Sequence, residues 1–326
     1  MTQFAFFEGA IVPIEQAKVS VMTHALNYGT ACFEGIRAYW NAGEEQLYVF
    51  RLPEHFERLH QSSRILQCEL PYTVPQLCEA TVELLRREGY REDTYIRPLV
   101  YKASEVIGVR LHDLRDSFTM FALPFGKYVD KEEGCDACVV SWRRIDDNAI
   151  PPRTKATGAY VNSALAKSEA AARGCDEAVV LDQEGHVSEG SAENIFLVRK
   201  GRLITPGESS NILEGITRAT IIELAREELG IETEMRTVDR TELYVADEVF
   251  FCGTGVQIAA VARVDNRQVG DGRLGPVTRR LRELYFDAVR GQNPKYRHWC
   301  TPVYTSQFTD VHQVTVTRAP KDVAAQ

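Results

Sequence analysis

The sequence predicts a two-domain protein of mixed α+β and α/β structure, with a small α+β domain followed by a larger, mixed-barrel-like domain. The chain has 326 residues, 44% hydrophobic and 26% charged, which is enough to bury two cores. A polar, glycine-bearing stretch at residues 124–134 separates two apolar strand-like runs, as is typical of an interdomain linker. Strands surround two helices before this stretch, and further strands and helices follow it. The predicted parts are a small domain at 1–128, a linker at 129–134, a large domain at 135–304 and a C-terminal extension at 305–326.

The first domain is predicted to combine two helices with a set of short strands. Apolar patterning favours helices near residues 53–67 and 75–89. The predicted strands lie around residues 10–20, 37–39, 46–51, 94–102 and 117–124.

The second domain is predicted to contain three helices. Residues 161–173 are rich in Ala, Leu and Glu and stop at Gly174, which favours a helix with a glycine terminator. Residues 216–229 carry apolar side chains on one face and start after Gly215, and a third helix is expected near 274–289. The predicted strands lie near residues 137–143, 177–182, 194–199, 248–252 and 257–264.

Charge and hydropathy exclude several classes of function. The net charge is −8, the pI is about 5.5, and no run of Lys and Arg is present, which argues against nucleic acid or an anionic membrane as a partner. No apolar run approaches the ~20 residues that span a bilayer, and the first residues lack a basic segment followed by an apolar core. A cytoplasmic location is therefore expected.

Cysteine and histidine usage predicts neither disulfides nor a metal. The eight cysteines are scattered in a chain too large to need disulfide bonds, so reduced thiols are expected. Cys135 and Cys138 form a CxxC motif that runs directly into a predicted strand, and no second pair completes a zinc site. The seven histidines form no HExxH motif.

Lys155 is the candidate reactive amine. It follows a Pro-Pro turn and precedes a glycine-containing bend, on the loop that enters the predicted helix at 161–173. Tyr160, five residues later, is placed to act from the same loop. A lone lysine of this kind is usually a solvated surface charge, so its interpretation depends on three downstream segments.

The first of these segments carries Glu189, in the sequence VSEGSAEN at residues 187–194. It lies between two predicted strands, where a carboxylate can be half-buried. An ordinary loop acid or a capping residue is the alternative interpretation.

The other two segments are suited to bind an anion. The predicted helix after Gly215 presents the backbone amides of Ile216 and Thr217 at its positive end, although such helix starts are also common without ligands. An apolar strand at 250–252 runs into a Gly-Thr-Gly turn, which frees backbone amides and the Thr254 hydroxyl.

A lysine, a half-buried acid and an anion cradle are the three groups that pyridoxal phosphate requires. At these spacings the segments resemble the fold type IV family of pyridoxal phosphate enzymes, and specifically the branched-chain amino acid aminotransferases. Similar segments in the first half are HALNYGT (24–30), FEGIRAY (33–39), FRLPEHFERL (50–59) and YIRP (95–98), and the resemblance spans roughly residues 3–304.

The resemblance implies a role for each matched residue. Lys155 would form the Schiff base and shuttle the proton, Glu189 would pair with the pyridine nitrogen, and Tyr160 with the phenolic oxygen. The phosphate would be held by Arg58, Ile216, Thr217 and Thr254. The implied substrate positions are Tyr28, Phe33, Arg37, Tyr95, Arg97, Phe125 and Tyr128, with the amides around Thr254 and Gly255 for the α-carboxylate.

Residue chemistry agrees with two kinds of substrate. Branched side chains need an apolar pocket, which aromatic residues can supply, whereas glutamate needs a cation or hydroxyls, for which Arg97 and the tyrosines are candidates. Phe33 and Tyr95 are also compatible with a core role, and Arg97 with a paired strand residue. Gly255 departs from the family pattern, which usually has alanine there, and glycine loosens the amide geometry.

The resemblance therefore implies transamination of L-leucine, L-isoleucine and L-valine with 2-oxoglutarate, giving branched-chain 2-oxo acids and L-glutamate by ping-pong chemistry. A D-amino acid or amine transaminase and an aminodeoxychorismate-type lyase share the fold. A non-catalytic pyridoxal phosphate carrier is the rival from another class. The resemblance also implies a homodimer or a higher homo-oligomer.

Overall fold

The structure, a computed structural model, describes residues 3–126 and 133–304. Residues 129–132 of the predicted linker, the predicted extension at 305–326 and the candidate Tyr128 lie outside the described residues. The helices are α1 (His24–Tyr28), α2 (Leu52–Ile65), α3 (Val74–Glu88), α4 (Tyr160–Ala172), α5 (Ile216–Leu229) and α6 (Pro276–Val289).

Within the described residues, the first sheet has eight strands, and its pairings are antiparallel. Its order is β17-β5-β4-β6-β7-β1-β2, with β3 paired to β6. The bounds are β1 (Phe4–Phe7), β2 (Ala10–Pro13), β3 (Ala31–Phe33), β4 (Ile36–Asn41), β5 (Gln46–Phe50), β6 (Thr94–Lys102), β7 (Asp116–Pro124) and β17 (Cys300–Pro302).

The second sheet has nine strands in the part of the chain that the structure describes, and it is mixed, because β8 pairs in parallel with both β9 and β15. Its order is β10-β9-β8-β15-β14-β11-β12-β13, with β16 paired to β15. The bounds are β8 (Cys135–Arg143), β9 (Glu177–Leu181), β10 (Val187–Gly190), β11 (Asn194–Arg199), β12 (Arg202–Thr205), β13 (Thr233–Met235), β14 (Glu248–Gly253), β15 (Gln257–Val264) and β16 (Arg267–Gln268).

Helices α2 and α3 cover one face of the first sheet. Apolar residues at helical spacing face that sheet, and Thr73 begins α3 with a capping box that uses Gln76. The buried contact set includes Leu52, Phe56, Leu59, Leu77, Leu84, Ile36, Ile96 and Val100.

A second core joins the two halves of the chain. Phe50 of β5 packs edge-on against Tyr285 of α6, and the Tyr39 and Tyr285 hydroxyls lie 3.1 Å apart. The same cluster contains Phe196 and Phe250 of the second sheet, stacked at 5.1 Å between ring centroids. The two sheets are therefore held at a fixed relative position, with a cavity between them.

The sequence predicted most of these elements. The predicted mixed α+β and α/β class is confirmed, and so are the helices predicted near 53–67, 75–89, 161–173, 216–229 and 274–289, to within a few residues. The strand predicted at 10–20 is too long, because the chain leaves the sheet after Pro13 in a 3₁₀ turn. The predictions omitted the helix α1 and the strands β1, β3, β10, β12, β13, β16 and β17. Each of these elements has only two to five residues, which is too short for an apolar periodicity to stand out in the sequence.

The domain bounds remain a prediction. Residues 300–302, which the prediction groups with the large domain, form β17 and pair with β5 of the first sheet.

Membrane-crossing helices and clusters of metal ligands are both absent from the described residues. No helix in 3–126 or 133–304 has the length and apolar character to cross a membrane. Over the same ranges, no group of three or more His, Cys, Asp or Glu side chains is arranged to hold a metal ion.

Candidate active site

A cavity of about 430 Å³ lies between the two sheets. It brings together twelve of the residues singled out in the sequence: Phe33, Arg58, Tyr95, Arg97, Phe125, Lys155, Tyr160, Glu189, Ile216, Thr217, Thr254 and Gly255. Residues separated by up to about two thirds of the chain thus meet at one place.

Lys155 and Tyr160 form one wall of the cavity. Lys155 is half-buried, and its Nζ donates a hydrogen bond of 2.8 Å to the Tyr160 hydroxyl. The 3₁₀ turn Thr157–Ala159 and the start of α4 at Tyr160 place the two side chains on the same side of the loop. Phe33 closes this wall, with its ring 4.8 Å from that of Tyr160 and 5.2 Å from Lys155 Nζ.

Backbone contacts hold the lysine loop against the first sheet. The Phe33 amide donates to the Lys155 carbonyl at 3.0 Å, and Cys32 forms an isolated β-bridge with Ala156. Gly29 and Gly158 also pack closely, with 2.9 Å from a Cβ built at Gly29 to the Gly158 Cα. The reactive loop is therefore fixed by partners that are remote in sequence.

Glu189 lies on strand β10, rather than on a loop between strands, and its side chain is buried. Its Oε1 pairs with Arg144 Nη2 at 2.8 Å. Its Oε2 accepts hydrogen bonds from Asn194 Nδ2 at 3.0 Å and from the Leu213 amide at 3.1 Å. Burial raises the pKa of the Glu189 carboxyl, and Arg144 and the Leu213 amide oppose that rise.

The start of α5 is open to the cavity. Gly215 is the N-cap, no side chain caps this end, and the first amides of a helix have no partner within it. A Cβ at Gly215 would come within 2.0 Å of Asn194 Oδ1, so glycine is required there. Arg58 lies beside this helix start and donates to the Glu214 carbonyl at 2.8 Å. The site is therefore suited to a phosphate group.

A second wall, the substrate wall, is aromatic, comes from the first sheet and adjoins the lysine wall at Phe33. The Tyr95 and Phe125 rings are 5.4 Å apart, and Arg97 lies 4.3 Å from the Phe33 ring centroid. Arg97 Nη2 donates to the Tyr95 hydroxyl at 2.7 Å. Gly35 permits this arrangement, because a Cβ there would lie 2.5 Å from the Tyr95 hydroxyl.

Two of the predicted substrate residues, Arg37 and Tyr28, do not line this cavity. Arg37 is buried behind it and donates to the carbonyls of Gly255, Phe125 and Gly126, which fixes the turns that form the wall. The Tyr28 hydroxyl accepts from the Gly108 amide at 3.2 Å, away from the cavity. Tyr128 lies outside the described residues.

Sequence reasoning missed several polar residues of the site. Arg144 and Asn194 hold Glu189, and Glu34 pairs with Arg58. Glu193 is buried in the cavity wall, and burial together with the nearby Glu177 raises the pKa of its carboxyl to about 8. The second glutamate of the segment at 187–194 was the available signal for Glu193. Asn194 ends that same segment and Glu34 lies in the motif at 33–39, but neither was assigned a role. Nothing near Arg144 in the sequence indicates its partner, which lies on a distant element.

Comparison with known proteins agrees with this geometry. The family model for class IV amino-transferases matches residues 31–264. A probable branched-chain-amino-acid aminotransferase of Aquifex aeolicus is 52% identical over 301 residues, covering 92% of this chain and 97% of the relative. The branched-chain-amino-acid aminotransferase of Escherichia coli K12 is 41% identical over 304 residues, covering 92% and 97%.

Solved structures of other branched-chain aminotransferases are similar to this chain in both fold and sequence. The branched-chain aminotransferase of Thermoproteus uzoniensis, crystallised with norvaline, has a TM-score of 0.89 and 47% identity, covering 93% of this chain and all of that one. The branched-chain amino acid aminotransferase of Thermobaculum terrenum, in its PLP-bound holo-form, has a TM-score of 0.89 and 43% identity, covering 93% and 99%. Family model, sequence relatives and fold agree, and the chain belongs to the class IV aminotransferase family.

Proposed function

We propose that this chain is a pyridoxal phosphate-dependent transaminase that exchanges the amino groups of L-leucine, L-isoleucine and L-valine with 2-oxoglutarate. The observation that carries the proposal is the placement of three groups around one cavity: the Lys155 amine, the buried Glu189 carboxyl and the uncapped start of α5 beside Arg58. These correspond to the aldehyde, the ring nitrogen and the phosphate of the cofactor. The relatives described above, which cover almost the whole chain, are named branched-chain aminotransferases.

The proposed cofactor residues fall into phosphate ligands and a partner for the ring nitrogen. Arg58, the amides of Ile216 and Thr217 and the Thr254 hydroxyl hold the phosphate. Glu189 holds a proton at the ring nitrogen, and Arg144 and Asn194 fix the position of its carboxyl group.

Lys155 attaches the cofactor and, once released, carries the substrate α-proton. When bound, pyridoxal phosphate supplies an electron sink for the bond that breaks at the α-carbon. The Tyr160 hydroxyl, 2.8 Å from Lys155 Nζ, orients the amine and would pair with the phenolic oxygen of the cofactor. Lys155 would then pass that proton on from its Nζ, and a water molecule would supply the oxygen of the 2-oxo acid that leaves, with the amino group retained on the cofactor.

The substrate wall suits two different side chains. Phe33, Tyr95 and Phe125 offer the apolar surface that a branched aliphatic side chain needs. Arg97 offers a cation for the second carboxylate of glutamate, and no carboxylate pairs with it among the described residues. The amide of Gly255 is assigned to the substrate α-carboxylate.

The half-reaction with a single amino acid tests this assignment. The visible absorbance band of the purified holoprotein is followed during titration with L-isoleucine and, separately, with D-alanine. We expect loss of the band with L-isoleucine only. Loss with D-alanine only would move the chain to the D-amino acid transaminases, and no change with either would support a lyase or a carrier.

We also propose that the chain acts as a homodimer or a higher homo-oligomer. Val21 and Leu26 are 81% and 64% exposed, and Ile107 and Val109 are 75% and 88% exposed. The two segments adjoin, since the His24 amide donates to the Ser104 carbonyl at 2.9 Å. A continuous apolar patch of this kind is typical of an interface, and a second copy of the chain is the occupant that the family resemblance implies.

Tyr28 lies at this patch and away from the cavity of its own chain, so we assign its substrate role to the cavity of the partner copy. The measurement is the mass in solution by light scattering. We expect a dimer or larger species for the wild type and a shift to monomer for Val109→Lys. A monomeric wild type would refute the proposal. A cytoplasmic location is also proposed, supported by eight cysteines that are all free.

A further inference from the structure

A buried carboxylate, Glu34, lies behind the cofactor cavity and is used by none of the roles above. It is fully buried. Its Oε1 accepts from Arg58 Nε at 2.7 Å, and its Oε2 accepts from Arg58 Nη2 at 2.7 Å. His55, one helical turn before Arg58 on α2, lies with its Nδ1 2.8 Å from the same Oε2. The acid therefore receives three hydrogen bonds from α2.

Glu34 is ionised and His55 is neutral in this arrangement. Burial acts to raise the pKa of Glu34, but the Arg58 guanidinium and the His55 hydrogen bond hold it down, to about 2. Burial lowers the pKa of His55, against the effect of Glu34. Because a carboxylate has no proton to give, the neutral imidazole donates from Nδ1.

The bidentate contact fixes the plane of the Arg58 guanidinium. Nε and Nη2 point to Glu34, and Nη1 reaches the Glu214 carbonyl, immediately before the N-cap of α5. Three of the five N–H groups of Arg58 are thereby engaged, and the others are available to a phosphate. An arginine without this support would lose side-chain entropy on binding a ligand.

The backbone around Glu34 is also tied to the reactive lysine. Residues along an extended chain alternate between two sides, so Phe33 faces the cavity and Glu34 faces α2. The Phe33 amide donates to the Lys155 carbonyl, and the Glu34 amide donates to the Pro98 carbonyl, both at 3.0 Å. One short segment therefore contacts the loop of Lys155 through its backbone and Arg58 through a side chain.

We propose that Glu34, supported by His55, is a positioning residue that presets Arg58 and the start of α5 for the phosphate of the cofactor. The inference rests on the proposed role of Arg58 as a phosphate ligand. Its effect is specific to ligands that carry a phosphate: loss of the Glu34 charge weakens the contact to the phosphate and leaves the attachment at Lys155 unchanged.

The test compares two ligands that differ by the phosphate alone. The full-length protein is stripped of cofactor, and dissociation constants for pyridoxal phosphate and for pyridoxal are measured from the visible absorbance of the bound ligand. The readout is the ratio of the pyridoxal constant to the pyridoxal phosphate constant. General destabilisation weakens both ligands and leaves this ratio unchanged.

For Glu34→Gln we expect the ratio to fall about tenfold, the lower end of what loss of a supporting partner costs a ligand site. Arg58→Met should lower it at least as much, and the double variant should add little, because both changes remove one interaction. Asp116→Asn is the matched control. It removes the charge of another acid of the first sheet, largely buried, 3.0 Å from Lys102 and outside the cavity, and should leave the ratio as in the wild type.

The possible failures are distinguishable. If Arg58→Met leaves the ratio unchanged, Arg58 is not a phosphate ligand and both proposals for it fall. If Arg58→Met lowers the ratio and Glu34→Gln does not, only the positioning role falls. Should Glu34→Gln not fold, His55→Leu decides the matter. It retains both Arg58 contacts and loses one hydrogen bond, so it should lower the ratio about threefold, and an unchanged ratio would overturn the proposal.

Discussion

The arginines on the two walls of the cavity differ in whether a carboxylate of the protein pairs with them. On the cofactor side each arginine has a carboxylate partner within the protein: Arg144 pairs with Glu189, and Arg58 with Glu34. On the substrate side, Arg97 contacts only the Tyr95 hydroxyl and aromatic rings, and no carboxylate pairs with it within the described residues. A resident group needs a preset site, whereas an exchanging substrate needs a cation whose partner is the substrate itself.

The largest expected effect comes from removing the reactive amine on the cofactor wall. Lys155→Ala should lower turnover by about 10⁴-fold or more, because both the attachment and the proton transfer are lost. Steady-state rates with L-leucine and 2-oxoglutarate give the measurement, and circular dichroism reports the fold. Lys18→Ala, at an exposed position, is the control. Substantial residual turnover in Lys155→Ala would remove the basis for the assigned chemistry.

The next effect concerns Arg97 on the substrate wall and distinguishes the two substrates by their KM values. Arg97→Met should raise KM for 2-oxoglutarate by about 10- to 100-fold, the value of a lost charged hydrogen bond. KM for L-leucine should change far less, since its side chain needs no cation. Equal changes for both substrates would show that Arg97 acts on the wall as a whole, and would contradict its assignment to the second carboxylate.

A smaller effect, dependent on pH, is expected for Glu193 at the edge of the cofactor wall. Burial and Glu177 raise the pKa of Glu193 from 4.5 to about 8, so between these values the folded protein keeps a proton that the unfolded chain releases. The free energy of unfolding therefore falls as pH rises through this window. Glu193→Gln removes that slope.

We expect the melting temperature of Glu193→Gln to match that of the wild type near pH 5 and to exceed it at pH 8. Calorimetry of the cofactor-free protein at several pH values measures this difference. Glu15→Gln, at an exposed site, should follow the wild type at each pH. A constant difference across the range would mean that Glu193 does not titrate there.

The smallest effect concerns two glycines that line the cavity. A Cβ at Gly255 would meet no atom within 4 Å, so Gly255→Ala should stabilise the fold by about 0.4–1 kcal/mol through the unfolded chain. Gly215→Ala should destabilise it and weaken pyridoxal phosphate binding, because its Cβ would lie 2.0 Å from Asn194 Oδ1. Urea denaturation measures both free energies, and destabilisation by Gly255→Ala would show that the turn at 253–257 needs glycine.

The sequence was most informative where the chemistry is local. Lys155 with Tyr160, the glycine before α5 and the Gly-Thr-Gly turn are each contained in a few residues, and all of them reach the cavity. It was least informative for pairs that form between elements. Nothing near Arg144 in the chain indicates Glu189 as its partner, 45 positions later.

The first-sheet substrate residues show the same limit. The motif match predicted a substrate role for both Arg37 and Arg97. Arg37 supports turns behind the cavity, however, whereas Arg97 lines the cavity. Side chains along a strand point alternately to the two faces of the sheet, and only the packing of the sheets decides which face meets the cavity.

By itself, the sequence determined the mixed α/β class and the positions of five of the six helices in the described residues, because propensity, turns and helix starts are local properties. The residues that would hold a cofactor stay a prediction, which the sequence supplied through its resemblance to a family. Tertiary structure alone decided that β17 joins the first sheet, that Glu34 pairs with Arg58, and that Arg97 faces the cavity without a carboxylate among the residues described. These features depend on which distant groups share a low-dielectric interior, where a buried charge must find a partner or a ligand.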